Sequence, residues 1–257
     1  MPAPRTGRSA GTLDRVKSPI FLPLLALCLG LGPGQETVLP DQPAAEKRDE
    51  TVPPAPGVYM GRRIATTMHY TGAPWLKRET RQREEDTALL LEKLDVKPGS
   101  TICDMGCGNG YYTIPLARRT GEGGRVYAVD IQPEMLGLLR DAAIEAGVEN
   151  VVPTRGTLVD PGLPDASIDL MLLVDVYHEM SHPEQMLAAM RKSLKPGGRV
   201  VLVEFRAEDP SIPIKPLHKM SKTQVRKELE ANGFELVGEF DGLPMQHMMT
   251  FGVVARE

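Results

Sequence analysis

From Thr87 onward the chain alternates two periodicities. The stretch DTALLLEKLDV sets its leucines at helical spacing, and TICDMG behind it is a short apolar run of strand length. The alternation then repeats. YYTIPLARRTG predicts a helix, RVYAVDI a strand, and PEMLGLLRDAAIEAG a helix with Pro133 near its start and Gly147 after its end. NVVPTRG predicts a weak strand, IDLMLLVDV a strong one, PEQMLAAMRKSL a helix and RVVLVEF another buried strand. After the helix SKTQVRKELEANG, the strands FELVGEF and HMMTFGVVARE are joined only by the connector from Asp241 to Gln246, which predicts an antiparallel pair. Strand and helix in alternation predict an α/β fold, a doubly wound parallel sheet with helices on both faces.

The first part of the chain has a different pattern. Arg5, Arg8, Arg15 and Lys17 precede the thirteen-residue run IFLPLLALCLGLG, and no charge falls between Lys17 and Glu36. As a helix that run would span about 20 Å against a hydrocarbon core of about 30 Å, so a secretory signal fits better than a membrane span. Residues 1–34 are therefore expected to be a signal peptide or anchor that routes the protein out of the cytoplasm, and the protein stays cytoplasmic if the segment does not function as a signal. Residues 35–57, rich in Pro and charge, predict a disordered linker. Residues 58–86 predict a lid segment ahead of the main domain at 87–257.

Composition narrows the partners. A net charge of −4 and a pI near 5.8, with basic and acidic residues interleaved, leave no footprint for nucleic acid. Cys28, Cys103 and Cys107 show neither metal-ligand spacing nor the even count of a disulfide framework.

The chemistry gathers at strand ends. In ICDMGCGNGYYTIPLA, Gly106, Gly108 and Gly110 follow a buried strand ending near Asp104 and open a helix, where backbone can approach a ligand that a Cβ would block. Asp130 ends the next strand, placed either to accept hydrogen bonds from both hydroxyls of a ribose or to cap the following helix. LVDVYHEMSHPE puts Asp175, Tyr177, His178 and Glu179 at the rim of a further strand. His178 is a candidate general base, with a backbone-bonded helix-start histidine as the alternative. The segment GRRIATTMHYTGAPWLKRE, with Tyr70 and Trp75, predicts a lid over an acceptor, or simple packing on the first helix. RAEDPSIPIKPLHKMS, stiffened by three prolines, predicts a pocket wall. KRETRQREED reads as a solvated helix face with Glu79 and Arg83 one turn apart. A nicotinamide-dependent oxidoreductase would need glycine at 111, where Tyr111 stands.

Together DMGCGNG, VYAVDI and SLKPGGRVVLVEF resemble the class I S-adenosylmethionine-dependent methyltransferases, in particular the ubiquinone and menaquinone biosynthesis group, over roughly residues 75–257. The resemblance implies a seven-stranded Rossmann-like sheet with an antiparallel last strand and S-adenosyl-L-methionine as cofactor. It implies Asp104, Gly106, Gly108, Gly110, Asp130, Ile131, Thr157 and Asp175 as cofactor-binding residues. Thr157 stands where the family often has an acid. Asp175 and His178 are the expected catalytic pair, and Tyr70, Trp75 and Tyr177 the expected acceptor contacts. The partner is expected to be a small-molecule or lipid-like substrate, with membrane contact only through the N-terminal segment. EFRAED offers Glu204, Glu208 and Asp209 without the Asp-Asn pair of the metal-assisted catechol enzymes, so no metal is expected. A non-catalytic cofactor-binding protein is the alternative reading, and an oxidoreductase a weaker one.

Overall fold

The computed structural model describes residues 52–254 except residue 54, so the predicted leader, most of the predicted linker and Cys28 lie outside the described residues. A short hairpin, β1 (Val58–Tyr59) and β2 (Arg62–Arg63), leads into 3-10 turns over Tyr70–Lys77 and two short helices, α1 (Arg81–Glu85) and α2 (Thr87–Lys93). The main domain follows as β3 (Thr101–Met105), α3 (Thr113–Thr120), β4 (Arg125–Asp130), α4 (Pro133–Ala146), β5 (Val151–Arg155), β6 (Ile168–Val174), α5 (Pro183–Ser193), β7 (Leu194–Phe205), α6 (Lys222–Ala231), β8 (Phe234–Phe240) and β9 (Gln246–Val253).

The seven strands β3 to β9 form one sheet in the order β5-β4-β3-β6-β7-β9-β8. Pairing is parallel from β5 through β7, and β9 runs antiparallel to both β7 and β8. This is the predicted sheet, reversed strand included. The weak strand NVVPTRG is β5, and it lies at an edge, where Pro153 can leave its unpaired side outward without breaking a second ladder.

Alternate strand residues feed two cores. Cys103 and Met105 of β3, Met171 and Leu173 of β6, and Val200 and Leu202 of β7 face α5 and α6 with Leu187 and Leu229. Ile102, Leu170, Leu172, Val201 and Val203 face the other way, toward Leu90, Leu116, Leu136 and Leu139 of α2, α3 and α4. A strand buried on both faces carries apolar residues at both parities, which is why IDLMLLV reads as a continuous run. The chain lays down β3, β4 and β5 in one direction and returns to place β6 on the far side of β3. That reversal opens a crevice at the carboxyl ends of β3 and β6.

Candidate active site

The turn from β3 to α3 forms one wall of the crevice. Gly106 and Gly108 have φ of +69° and +53°, in the left-handed region. A Cβ on Gly106 would lie 2.5 Å from Cγ2 of Val176, and one on Gly108 would lie 2.7 Å from Cδ1 of Leu76. Backbone sign and close protein packing both require these glycines, and both residues line the cavity. Gly110 sits behind them against Leu139, away from the wall. Asp104 also lies beneath the turn, off the wall. It receives the Thr113 hydroxyl at 2.6 Å, and burial pushes its carboxyl up to about 6.

Asp130 and Ile131 line the cavity from the end of β4. The Asp130 carboxylate accepts the Gly108 N–H on Oδ2 at 3.0 Å and the Gln132 N–H on Oδ1 at 2.9 Å. The helix-cap alternative is corrected: α4 is preceded by Gln132, with no side-chain cap. Each Asp130 oxygen keeps lone-pair capacity, as two neighbouring hydroxyls would require. Burial raises the Asp130 pKa from its ordinary value. Thr157 also reaches the wall, with its hydroxyl accepting the Asp160 N–H at 2.9 Å.

The segment before α1 closes over this wall. Gln132 donates through Nε2 to the Met68 carbonyl at 2.9 Å and accepts the Tyr70 N–H on Oε1 at 2.8 Å. Asn109 of the glycine turn donates to the Ala73 carbonyl at 3.0 Å. Trp75 and Leu76 thereby join the cavity wall, whereas Tyr70 is held by its backbone and lies off it. Behind them, the predicted solvated face of KRETRQREED holds for Glu79, Gln82 and Arg83, which are exposed, and is corrected for two of its charges. Arg81 and Glu85 are 4% and 0% exposed, paired at 2.9 Å, with Arg81 also bonded to the Leu76 carbonyl and set 4.1 Å above the Tyr111 ring. Arg81 reaches the cavity, and Arg78 supplies the second partner of Glu85 at 2.5 Å. The signal lay in the i,i+4 spacing of 81 and 85, the same pattern that a solvated face shows.

The exit of β6 supplies a further wall of the cavity. Asp175 has φ of +53°, a costly value for a residue with a side chain, and such positions cluster at functional sites. Its Oδ2 receives the Gln246 amide at 2.7 Å, and its Oδ1 is buried with no partner. Burial, with Glu85 and Glu204 adding, holds its carboxyl well above the usual range. His178, 2% exposed, has Nδ1 2.6 Å from Glu204 Oε2 and Nε2 3.1 Å from Nδ1 of His218. The backbone-bonded alternative for the His178 ring is corrected: both ring nitrogens face side chains. Burial alone would lower the His178 pKa, but the Glu204 carboxylate outweighs it, and Asp175 and Glu179 add to the rise.

Tyr177, an expected acceptor contact, does not line the cavity. Its hydroxyl donates to Glu228 at 2.9 Å within the core, where Arg62 also pairs with Glu228 at 2.8 Å. The proline-stiffened segment does form a wall, through Pro213, Ile214, Lys215 and His218. His218 was not legible as a site residue in PLHKMS, and Glu204, a charge at the end of the apolar run RVVLVEF, was the better signal.

These walls enclose one cavity of about 480 Å³, within the range of small-molecule sites, lined by Gly106, Gly108 and Asp130 from the exits of β3 and β4 and by Asp175 and His178 from the exit of β6. The residues fit S-adenosylmethionine: Asp130 retains acceptor capacity for a ribose, and the orphaned oxygen of Asp175 suits an ammonium group.

A family model described as a methyltransferase domain matches residues 96–246. The ubiquinone/menaquinone biosynthesis C-methyltransferase UbiE of Paraburkholderia phymatum is 35% identical over 121 residues, 46% of this chain and 48% of that protein. The protein of the same name from Burkholderia mallei is 34% identical over the same shares. The match spans about half the length of these curated relatives. The crystal structure of a SAM dependent methyltransferase from Aquifex aeolicus aligns with a TM-score of 0.69 at 24% identity, covering 73% of this chain and 100% of that one, and it shows the shared fold. The family match runs from just before β3 to the first residue of β9 and so takes in the glycine turn, Asp130, Asp175 and His178, and the chain belongs to the class I S-adenosylmethionine-dependent methyltransferases.

Proposed function

We propose that the protein transfers the methyl group of S-adenosylmethionine to a small-molecule or lipid-like acceptor held at the His178 end of the cavity. The observation that carries this reading is one cavity lined both by a glycine turn with Asp130 and by a carboxylate-held imidazole. S-adenosylmethionine supplies an activated methyl group on a sulfonium, so the protein's task is alignment and, for some acceptors, removal of a proton. Asp130 accepts the ribose hydroxyls. Asp175 Oδ1 accepts from the cofactor's ammonium group or from the acceptor. His178, with Nδ1 committed to Glu204, presents Nε2 to the acceptor and takes its proton while the cluster around it is metal-free.

Met68, Trp75, Met135, Met180, Met186 and Phe205 make the wall largely apolar. That lining suits an aromatic ring or an alkyl-bearing acceptor, and the names of the matched relatives support a quinone-type ring as the class. The decisive experiment is mass spectrometry of cell extract incubated with the purified chain and isotope-labelled cofactor. A labelled acceptor appearing with the demethylated cofactor is expected. Retained cofactor affinity with no labelled product in any extract would leave a non-catalytic binding protein.

We also propose that residues 1–34 export or anchor the protein and that residues 35–57 link that segment to the domain. The support is the basic start, the uncharged run and the Pro-rich, charged stretch after it.

A further inference from the structure

Beyond the cofactor end, three donor atoms converge on one point of the cavity wall. His178 Nε2 lies 3.1 Å from His218 Nδ1 and 3.9 Å from Glu179 Oε1, and His218 Nδ1 lies 3.6 Å from the same Glu179 oxygen. The sequence predicts no metal, because EFRAED at the neighbouring exit of β7 lacks an Asp-Asn pair; that expectation does not weigh this group, to which Glu204 of the same stretch is bonded through His178. We infer that His178, Glu179 and His218 form a binding site for a divalent transition-metal ion of the Zn²⁺ class at the acceptor end of the cavity.

The tautomers supply the argument. Glu204, wholly buried and 2.6 Å from Nδ1 of His178, makes that nitrogen the N–H donor, which turns the Nε2 lone pair toward the cavity. Glu179 contributes acceptor lone pairs only, and one of them faces the same point. A single N–H on His218 Nδ1 can satisfy one of these two acceptors fully. A divalent ion satisfies all three donors at once. Bonds of about 2.0–2.1 Å in tetrahedral geometry place donors about 3.3 Å apart, so the His178–His218 edge already lies within a few tenths of an ångström and the two edges to Glu179 must shorten by roughly 0.3 and 0.6 Å. Both long edges end on Glu179 Oε1, so turning the Glu179 carboxylate toward the two imidazoles makes the movement, and His218, 31% exposed on its own 3-10 turn, Pro216–His218, is free to follow it.

The surroundings are those of a ligated site. A ligating histidine commonly gives its other N–H to a carboxylate, and Glu204 receives it here. The Glu179 carboxylate is itself oriented by the Met68 N–H, at 3.2 and 3.3 Å from its two oxygens. Two imidazoles and one carboxylate suit Zn²⁺, Fe²⁺ or Co²⁺, while Mg²⁺ and Ca²⁺ prefer all-oxygen sets. Three protein ligands on a cavity wall leave a fourth position open to the cavity, the arrangement that distinguishes reactive from structural zinc sites. Filling the site changes what this end of the cavity offers. His178 Nε2 no longer takes a proton, and the open position presents a Lewis acid to an acceptor oxygen instead.

The inference uses the cavity of the proposed transfer reaction but rests on donor geometry, and its test does not measure transfer. The purified full chain is stripped with chelator and titrated with Zn²⁺ against a chromophoric competitor, and with Co²⁺ by visible absorption. One ion per chain is expected, with a cobalt spectrum of nitrogen and oxygen ligands in tetrahedral geometry. Glu204→Gln should weaken the affinity by roughly ten- to a hundredfold, the usual effect of losing an outer carboxylate, and His218→Ala by more. His218 is part-exposed, so His218→Ala keeps the fold, and circular dichroism confirms it. No binding by the parent, or an affinity unchanged in His218→Ala, overturns the inference. S-adenosylmethionine affinity measured on the same metal-free protein reports separately on the transfer reading.

Discussion

Gln246 donates its side-chain amide to Oδ2 of Asp175 at 2.7 Å, and the second oxygen of the same buried carboxyl faces no partner. The pair joins the first residue of β9 to the exit of β6 across β7, so the reversed strand positions a site residue. A carboxyl kept partly dehydrated, beside Glu85 and Glu204, holds its proton above its ordinary pKa. A cationic ligand at Oδ1 reverses that balance.

Cofactor binding should therefore release a proton at pH values between the ordinary aspartate value near 3.9 and the raised one. Binding then tightens as pH rises through that window. Calorimetry in buffers of different ionisation enthalpy measures the release, and Asp175→Asn should abolish it. Release persisting in that variant would assign the proton to another group.

Asp130→Ala should weaken S-adenosylmethionine or its demethylated product by about ten- to a hundredfold, since charged hydrogen bonds to a ribose are worth roughly 1.5–3 kcal/mol. The variant also frees the Gly108 and Gln132 N–H groups. Asp130→Asn, which keeps an acceptor oxygen, should recover part of the loss. Equal affinity in parent and Ala variant removes Asp130 from the site.

In the metal-free protein, His178→Ala should lower transfer to an identified acceptor by roughly a hundred- to ten-thousandfold with cofactor affinity nearly unchanged. A variant that turns over normally shows that alignment alone suffices. Loss of cofactor binding together with rate would instead make the imidazole part of the pocket floor.

Asp104 tests the cost of a buried acid. Its folded value of about 6 exceeds the ordinary 3.8, so the native state holds the proton more tightly. The resulting stability is fully present below about 3.8 and is lost as pH rises through about 6, a change on the order of 3 kcal/mol. Asp104→Asn, still able to accept from Thr113, should flatten that decline in urea denaturation of the ligand-free chain. An unaltered pH profile would place the acid elsewhere.

Arg81→Met should destabilise the fold by about 3 kcal/mol, the low end for stranding a buried partner, because Arg78 still pairs with Glu85. A change below 0.5 kcal/mol, roughly the scale of exposed helix pairs, would restore the solvated-face reading.

For the leader, a reporter fused after residue 57 should leave the cytoplasm. Replacing Leu24 and Leu25 with arginine should keep it there, each central charge costing about 2.5–3.5 kcal/mol on an insertion scale. Cytoplasmic activity of both fusions would show that the run is not a signal.

What the sequence determined by itself is the sheet and its glycine turn. Periodicity is a local property, and so is the placement of Gly106, Gly108 and Asp130 at strand ends, where the backbone decides the geometry within a few residues. The weak strand NVVPTRG and the short connector before β9 were legible for the same reason, whereas the edge position of that strand was not. Only the tertiary structure decided the acceptor end. Glu204 stands 26 residues from His178 and His218 stands 40 residues from it, and they meet because β7 lies beside β6 and the following segment folds back over both strand ends. Tyr177 turned inward to Glu228 because neighbours in a 3-10 turn point in different directions, so adjacency to His178 did not make it a neighbour in space. Arg81 and Glu85 were buried by the glycine turn's tyrosines and by Arg78, partners that a charge pattern on one helix does not contain.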